Sequence, residues 1–317
     1  MTAVRTIAED LWFPEGPVAM GDGSVIVVEI RAARLTRIWP DGGREAITEW
    51  GDPLGAGPNG AAVGPDGFMY ICNNGGFWWH EVAAGLWIPQ DPATGSIQPP
   101  NYTTGSIDRV DLDTGTLTTL YTECDGVGLR GPNDIVFDSS GGFWFTDMGK
   151  SRPGVQDHGA VFYALPDGSS ITRVPGNFNM ANGVGLSPDE STLYVSETGG
   201  GRVWAIELAG PGVISESNEF RFIENHPGRC LVNSLGYFDS LAVQADGRPV
   251  VAALGDGLCV VEPDGSGHRF VPFDDPMVTN IAFGGADLTT AFVTFSGGGR
   301  LVAVDWDTPG LALAFGA

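Results

Sequence analysis

A degenerate repeat runs through the chain and constrains its fold more than any other feature. Six segments begin with a carboxylate or amide residue and continue as a short apolar stretch, a polar turn and a second apolar stretch. We call the first residues of these segments the leaders; they are Glu15, Asn59, Asn133, Asn182, Asp239 and Asn280. A turn glycine follows four leaders at one spacing, as Gly23, Gly67, Gly141 and Gly247. A recurring unit of this size is typical of propellers and solenoids.

Each unit predicts a strand, a tight turn and a second strand. The turns contain Pro-Asp-Gly at 65–67 and Ala-Asp-Gly at 245–247, and the second strands are rich in aromatic and β-branched residues. Further apolar segments between the units bring the count to about four strands each. Most intervals between leaders match the roughly 40–50 residues of a propeller blade. We therefore predict an all-β fold, a six-bladed β-propeller with four-stranded blades, as one domain over residues 1–317.

Ring closure follows from the same pattern. The last apolar segment, at 300–305, is predicted to share a blade with the first residues of the chain, which removes exposed sheet edges.

Composition excludes several classes of partner. The 317 residues carry a formal net charge of −23, which disfavours nucleic acid and anionic membrane surfaces as partners. No apolar run reaches the length of a membrane span, and the first residues lack the pattern of a signal peptide. The 4 cysteines are far apart in the sequence, without a Cys-x-x-Cys pair, and are expected to be reduced. These features predict a cytoplasmic protein.

The leaders are candidates for a metal site. Equivalent blades place equivalent residues beside the central channel, so the side chains of the leaders are expected to point at a common axis. Carboxylate and amide oxygens without His or Cys favour a hard cation, with Ca²⁺ first and Mn²⁺, Mg²⁺ or Zn²⁺ as alternatives. Asn and Asp before a strand also commonly cap turns through the backbone, and Asn59 and Asn280 are open to that structural interpretation.

At these residues the sequence resembles the regucalcin and gluconolactonase family (the senescence marker protein-like family) of six-bladed propeller lactonases. More distantly, it is similar to the paraoxonases. The matching segments are Glu15-Gly-Pro-Val, Gly131-Pro-Asn-Asp134, Asn182-Gly-Val-Gly-Leu-Ser-Pro-Asp189, Phe238-Asp-Ser240 and Thr279-Asn-Ile-Ala-Phe-Gly-Gly-Ala-Asp-Leu288. Their order and spacing carry the resemblance over nearly the whole chain.

The resemblance implies a set of site residues. The metal ligands would be Glu15, Asn182 and Asp239, with Asn133 as a fourth ligand or as a substrate contact at the metal. Ser240 matches a variant of some bacterial lactonases, in which it assists metal or water binding. Sugar-lactone members often carry an Arg where this chain has Gly131. This difference favours an apolar or aromatic lactone over a sugar lactone.

An aromatic insertion lengthens the interval between Asn59 and Asn133, at about 77–105. Loops of this length in compact domains usually have a function or are disordered, and its aromatic content argues against disorder. We predict an active-site lid; packing on a neighbouring blade, or a homo-oligomer contact, is the alternative. The predicted substrate contacts are Asn59, Asn133 and Ser240 at the axis, and Trp78, Trp79, His80 and Trp87 in the insertion.

These residues predict a metal-dependent hydrolase that opens a lactone. The metal would polarise the carbonyl of a small-molecule lactone or ester, and Asp239 is the predicted general base. His80 and His158 are further candidates for proton transfer. The alternatives are a sugar lactonase, an aryl esterase, and a metal-bearing propeller that binds without catalysis; turnover on a panel of lactones would separate the last from the enzymes.

Overall fold

Six antiparallel sheets form the body of the molecule. The computed structural model describes residues 4–217, 228–233 and 236–316. The first strand of each sheet contacts the first strands of the sheets before and after it, so the sheets close into a ring. The predictions of an all-β fold, of six blades and of four-stranded blades are confirmed.

The strands of each blade are given from the axis outward. Blade 1 contains Pro14–Ala19, Val25–Glu29, Arg34–Ile38 and Arg44–Glu49. Blade 2 contains Pro58–Val63, Met69–Asn73, Ser106–Val110 and Leu117–Tyr121. Blade 3 contains Pro132–Phe137, Phe143–Asp147, Ala160–Ala164 and Ile171–Arg173.

The second half of the ring repeats this order. Blade 4 contains Ala181–Leu186, Thr192–Glu197, Arg202–Gly210 and Arg229–Asn233, with Val213–Ile214 also paired to its third strand. Blade 5 contains Tyr237–Val243, Pro249–Leu254, Gly257–Val261 and His268–Val271. Blade 6 contains Val278–Gly284, Thr290–Phe295, Arg300–Asp305 and Val4–Ala8.

Short elements lie outside the blades. The hairpins are His80–Ala83 with Leu86–Ile88, Glu123–Cys124 with Val127–Gly128, and Ser151–Arg152 with Val155–Gln156; a 3₁₀ turn spans Ile30–Ala32. Within the described ranges no helix is long and apolar enough to cross a bilayer.

The ring closes through the chain ends. Val4 pairs with Val304 and Thr6 with Val302, so the amino-terminal strand is the outer strand of blade 6. This confirms the prediction that the segment at 300–305 shares a blade with the first residues.

A shift of register interrupts every inner strand beside its leader. The shifts fall between Glu15/Val18, Pro58/Ala61, Pro132/Ile135, Ala181/Val184, Phe238/Leu241 and Val278/Asn280. A bulge releases residues from the ladder and redirects their side chains. At the same position in each blade, the leader is therefore free to turn from its own sheet toward the axis.

The axial channel is apolar below the leaders. It encloses a cavity of about 200 Å³, lined by inner-strand residues such as Val63, Leu186 and Val243 and by the carboxyl-terminal segment 311–316, which we call the tail. The Leu311 N–H donates to the Val243 carbonyl at 2.8 Å, and the Phe315 ring packs edge-on against Phe137 at 5.9 Å. Because Val243 and Phe137 end their inner strands, the tail lies at the end of the channel opposite the leaders.

Candidate active site

The structure brings the leaders together at one end of the channel. Five leaders are buried, and Asp239 is partly exposed. Asn280 Nδ2 donates to Glu15 Oε2 at 2.7 Å across the boundary of blades 6 and 1. Ser240 Oγ donates to Asn182 Oδ1 at 3.3 Å across the boundary of blades 5 and 4. Residues that are distant in the chain therefore contact one another around the axis.

Two carboxylates, one from blade 1 and one from blade 5, influence each other. Desolvation raises the pKa of Glu15 above its usual value, and hydrogen bonds from Asn280 and Gly16 oppose that shift. Desolvation, followed by the negative charge of Glu15, raises the pKa of Asp239 well above its usual value. In the part of the chain that the structure describes, no Lys or Arg forms an ion pair with either side chain. The site concentrates negative charge without a protein countercharge.

A third carboxylate, that of Asp134, belongs to the same site, although the sequence did not single it out. It follows the leader Asn133 within the bulge and lines the channel. Desolvation, with a contribution from the charge of Glu15, raises its pKa to about 7, against hydrogen bonds from Ile135, Val184 and Ser240. No sequence signal marked Asp134, because its inward turn depends on the register shift that the structure shows.

The amide of Asn133 is oriented by one contact. Asn133 Nδ2 donates to the Met148 thioether at 3.4 Å. The other amide atom, Oδ1, is buried and has no hydrogen-bond partner among the residues described above. A buried carbonyl oxygen without a partner costs about 1–3 kcal/mol, so this atom is a strong candidate for binding a ligand.

These residues fit an oxygen-liganded divalent cation. Among the described residues, no group of three or more His, Cys, Asp or Glu is placed to hold a metal ion. A site here would thus consist of the Glu15 and Asp239 carboxylates, completed by the amide oxygens of Asn133 and Asn182. Carboxylates without a protein countercharge and an amide oxygen without a partner are the kinds of ligand that Ca²⁺ prefers.

Four polar residues that we had not predicted anchor the loops before four leaders through hydrogen bonds. Each ends the second strand of its blade and accepts a backbone N–H from the loop that enters the inner strand. The four pairs are Glu29 with Trp12, Asn73 with Gly57, Asp147 with Gly131, and Glu197 with Asn179, at 2.6–2.9 Å. The signal was present in the repeat, because each of these segments ends on a polar residue.

The first part of the insertion packs beside the leaders. The Trp79 ring lies 4.9 Å from Phe13 and 5.8 Å from Phe77. Phe13, Phe77, Ile97 and Met148 belong to one buried cluster, against which Trp79 packs. Because Phe13 lies two residues before Glu15 and Met148 contacts Asn133, this cluster flanks the candidate ligands.

The other aromatic residues of the insertion lie farther out. The Arg31 guanidinium lies 4.2 Å from the centre of the Trp87 ring and 4.4 Å from that of the Trp12 ring. His80 Nδ1 contacts the Gln90 carbonyl, and the Trp78 N–H donates to Ile97 at 3.0 Å. Substrate contact by Trp78, His80 and Trp87 stays a prediction.

Gly131 leaves no room for the arginine of sugar-lactone relatives. A Cβ atom at this position would lie 2.7 Å from the Gly149 carbonyl oxygen and 3.3 Å from Met148 Cγ. The neighbouring Arg130 is exposed, and its charge acts on Tyr102 and Asp157. An arginine at position 131 would therefore require the Gly149 backbone to move.

Comparison with protein families gives one match over most of the chain. Residues 13–297 match the family described as SMP-30/Gluconolactonase/LRE-like region. A gluconolactonase from Zymomonas mobilis is 26% identical over 284 residues, which cover 83% of this chain and 70% of that protein. Lactonase drp35 from Staphylococcus saprophyticus is 38% identical over 133 residues, which cover 41% of this chain and 37% of that protein.

Solved structures share the fold. A gluconolactonase from Xanthomonas campestris superposes with a TM-score of 0.72 at 23% identity, covering 97% of this chain and 90% of that chain. A calcium-binding regucalcin from Agrobacterium tumefaciens gives 0.71 at 18% identity, covering 98% of each chain. At these identities the structural likeness concerns the fold alone. The family match confirms the resemblance drawn from the leaders.

Proposed function

Because this chain belongs to the SMP-30/gluconolactonase/LRE-like family, we propose that it is a metal-dependent hydrolase that opens an apolar or aromatic lactone. One observation carries the proposal: Glu15 and Asp239 are desolvated carboxylates within electrostatic reach of each other, and a third leader, Asn133, has a buried amide oxygen without a partner. Lactonase relatives named in the comparisons support the reaction class.

The residues that would hold the metal are Glu15, Asn133, Asn182 and Asp239. Ser240 orients Asn182 through the hydrogen bond to Oδ1. A divalent cation, Ca²⁺ by preference, would polarise the lactone carbonyl when bound. Mn²⁺, Mg²⁺ and Zn²⁺ are the alternatives to be tested.

Asp239 is the proposed general base. Its carboxylate takes a proton from a water molecule as the water oxygen attacks the carbonyl carbon. The ester C–O bond then breaks, and Asp239 returns the proton to the leaving alkoxide oxygen, giving the open-chain hydroxy acid. Asp239 is the less buried residue of the two, since Glu15 is only 3% exposed, and this favours Asp239 over Glu15 as the base.

The apolar surroundings of the ligands support the choice of substrate. Phe13, Phe77, Trp79 and Met148 would contact the part of the lactone remote from its carbonyl. The Trp79 indole N–H is buried and has no acceptor in the described ranges, so it is available to a substrate oxygen. We propose that the insertion at 77–105 is a lid over this end of the channel.

A sugar lactone is the second candidate substrate. Its support is the Zymomonas relative, which is named gluconolactonase and aligns with 83% of this chain. The polar leaders Asn59 and Asn133 would then contact the hydroxyl groups of the sugar.

The test is a panel of sugar, aliphatic and aromatic lactones, assayed with chelator-treated protein and after adding back Ca²⁺, Mn²⁺, Mg²⁺ or Zn²⁺ separately. We expect metal-dependent turnover, with the aromatic or aliphatic lactones hydrolysed faster than the sugar lactones. Asp239→Asn and Glu15→Gln should each reduce kcat by about 10³-fold or more. Asp246→Asn, an exposed acid of the same blade as Asp239, is the matched control. Full activity in metal-free protein would refute the mechanism.

A further inference from the structure

The thioether of Met148 contacts the candidate ligand Asn133, and no step of the proposed reaction uses this contact. We infer that Met148 is a positioning residue: it holds the amide of Asn133 so that Oδ1 faces the channel axis and makes Asn133 a ligand of the cation. This inference rests on the proposed function, because it assumes that the leaders bind a divalent ion. It assigns Asn133 to the metal in preference to the substrate.

The backbone places Met148 firmly against Asn133. The Met148 N–H donates to the Gly131 carbonyl at 2.8 Å, and Asp147 Oδ1 accepts the N–H groups of Gly131 at 2.7 Å and Gly149 at 2.8 Å. The loop before Asn133 and the end of the second strand are therefore bonded in both directions. The thioether position follows from this frame, since Met148 itself is buried.

The thioether selects one of two amide orientations. Sulfur accepts a hydrogen bond weakly and donates none, so Nδ2 is favoured on its side. A flipped amide would place Oδ1 against the lone pairs of sulfur and turn Nδ2, which cannot bind a cation, the other way. Because Nδ2 points at the second strand of the blade, Oδ1 faces away from that strand. Its burial without a partner is the state expected of a ligand atom awaiting its ion.

Met148 also packs against the apolar cluster beside the insertion, so packing must be separated from amide orientation. Leu keeps most of the volume and apolar character of Met but has no hydrogen-bond acceptor. Gln has an unbranched side chain of similar length, and its Oε1 can accept from Asn133 Nδ2. Met277→Leu is the matched control, because Met277 packs against the same cluster.

The experiment measures calcium affinity by titrating CaCl₂ into metal-free protein in a calorimeter, together with the thermal midpoint of the metal-free form. Met148→Leu should weaken Ca²⁺ binding about 3- to 10-fold, the equivalent of one hydrogen bond. Met148→Gln should recover most of that loss, and Asn133→Ala should weaken binding at least about tenfold. Met277→Leu should bind within about twofold of the parent. The metal-free thermal midpoints of the Leu variants should agree within about 2 °C.

Equal Ca²⁺ affinity in Met148→Leu and the parent would overturn the inference, and so would unchanged affinity in Asn133→Ala. A Met148→Gln variant that binds no better than Met148→Leu would show that packing alone is at work. Because affinity is measured without substrate, the two proposals fail separately. If the variants show the expected order of Ca²⁺ affinities but no lactone is hydrolysed, only the proposed reaction is refuted. If lactone turnover depends on metal but Met148→Leu binds Ca²⁺ as the parent does, only the role of Met148 is refuted.

Discussion

Two residues shortly before the leaders have a strained backbone conformation. Phe13 and Met180 have positive φ angles of 59° and 60°, and each lies two residues before a candidate ligand, Glu15 or Asn182. Such conformations cost about 1–3 kcal/mol and persist where the surroundings fix them. Here the fixing bonds are Trp12 N–H to Glu29 at 2.8 Å and Asn179 N–H to Glu197 at 2.6 Å. Hydrogen bonds to side chains of the second strands thus keep the ligand loops in place.

Lys150 is a buried cation at the root of the insertion. Its Nζ donates to the Gly76 carbonyl at 2.5 Å and lies 4.4 Å from the Phe77 ring. Desolvation lowers its pKa to about 7, although the charge of Asp147 opposes the shift. The Lys150 ammonium group therefore joins the start of the insertion to blade 3. Its charge is poorly solvated there.

Lys150 makes stability depend on pH in a direction that can be measured. Between about pH 7 and the ordinary lysine value, the unfolded chain holds a proton that the folded protein lacks, so this group makes stability rise with pH. Below pH 7 both states are protonated, and the folded state bears the full cost of desolvation. Lys150→Met should therefore raise the free energy of unfolding, relative to the parent, more at pH 6 than at pH 9.5. Urea denaturation at the two values tests this; an equal difference at both would contradict it.

At the scale of the strands, the bulged inner strands of adjacent blades approach each other closely at the leaders. A Cβ atom on Gly16 would lie 2.3 Å from the Asn59 carbonyl oxygen, and one on Gly60 would lie 2.5 Å from that of Asn133. Adjacent inner strands thus meet backbone to backbone just after the leader. This contact explains why a glycine follows the leader in blades 1 and 2, a feature of the repeat that turn chemistry does not require.

Gly16→Ala should therefore be far more damaging than an alanine in a turn. Both Gly16 and the turn residue Gly67 have positive φ, at 47° and 79°, but a Cβ on Gly67 meets nothing within 4 Å. Gly67→Ala should cost about 1–2 kcal/mol from its backbone alone. Gly16→Ala should cost about 2 kcal/mol more, because the strands must move apart. Urea midpoints of the two variants give the comparison, and equal midpoints would show that the strands separate freely.

At the scale of the whole molecule, side chains in or just after the second strands bond neighbouring blades at three boundaries of the ring. Thr146 Oγ1 donates to the Asn182 carbonyl, Ser196 Oγ to the Asp239 carbonyl at 2.6 Å, and Ser296 Oγ to the Pro14 carbonyl at 2.6 Å. Each acceptor is a leader or the residue before one. Bonds between blades therefore fix the spacing of the candidate ligands, and the ring has to close before the site exists.

The tail completes the molecule at the far end of the channel, and its removal should be tolerated with loss of stability. A chain ending at Gly310 loses the Leu311 and Phe315 contacts, which should lower the free energy of unfolding by about 2–4 kcal/mol. Binding of an apolar fluorescent dye should increase, because the channel wall becomes exposed. Leu313→Ser, at a side chain that is 57% exposed, is the control and should have little effect. A truncated protein as stable as the parent would show that the tail packs only loosely.

The sequence by itself determined the number of blades, the closing partner of the last strand and the identity of the six leaders. It could do so because every blade must bury its strands and present its leader in the same way, and this repetition leaves a periodic pattern in the residues. The choice of Glu15, Asn182 and Asp239 among the six leaders came from the family resemblance and not from the period.

Only the tertiary structure decided which residues meet at the axis besides the leaders. The inward turn of Asp134, the orientation of the Asn133 amide by Met148, the packing of Trp79 on Phe13 and the insertion of the tail all depend on contacts between segments without a shared period. A contact made once leaves no recurring signal in the chain. It is fixed by shape and hydrogen bonding after the blades have assembled.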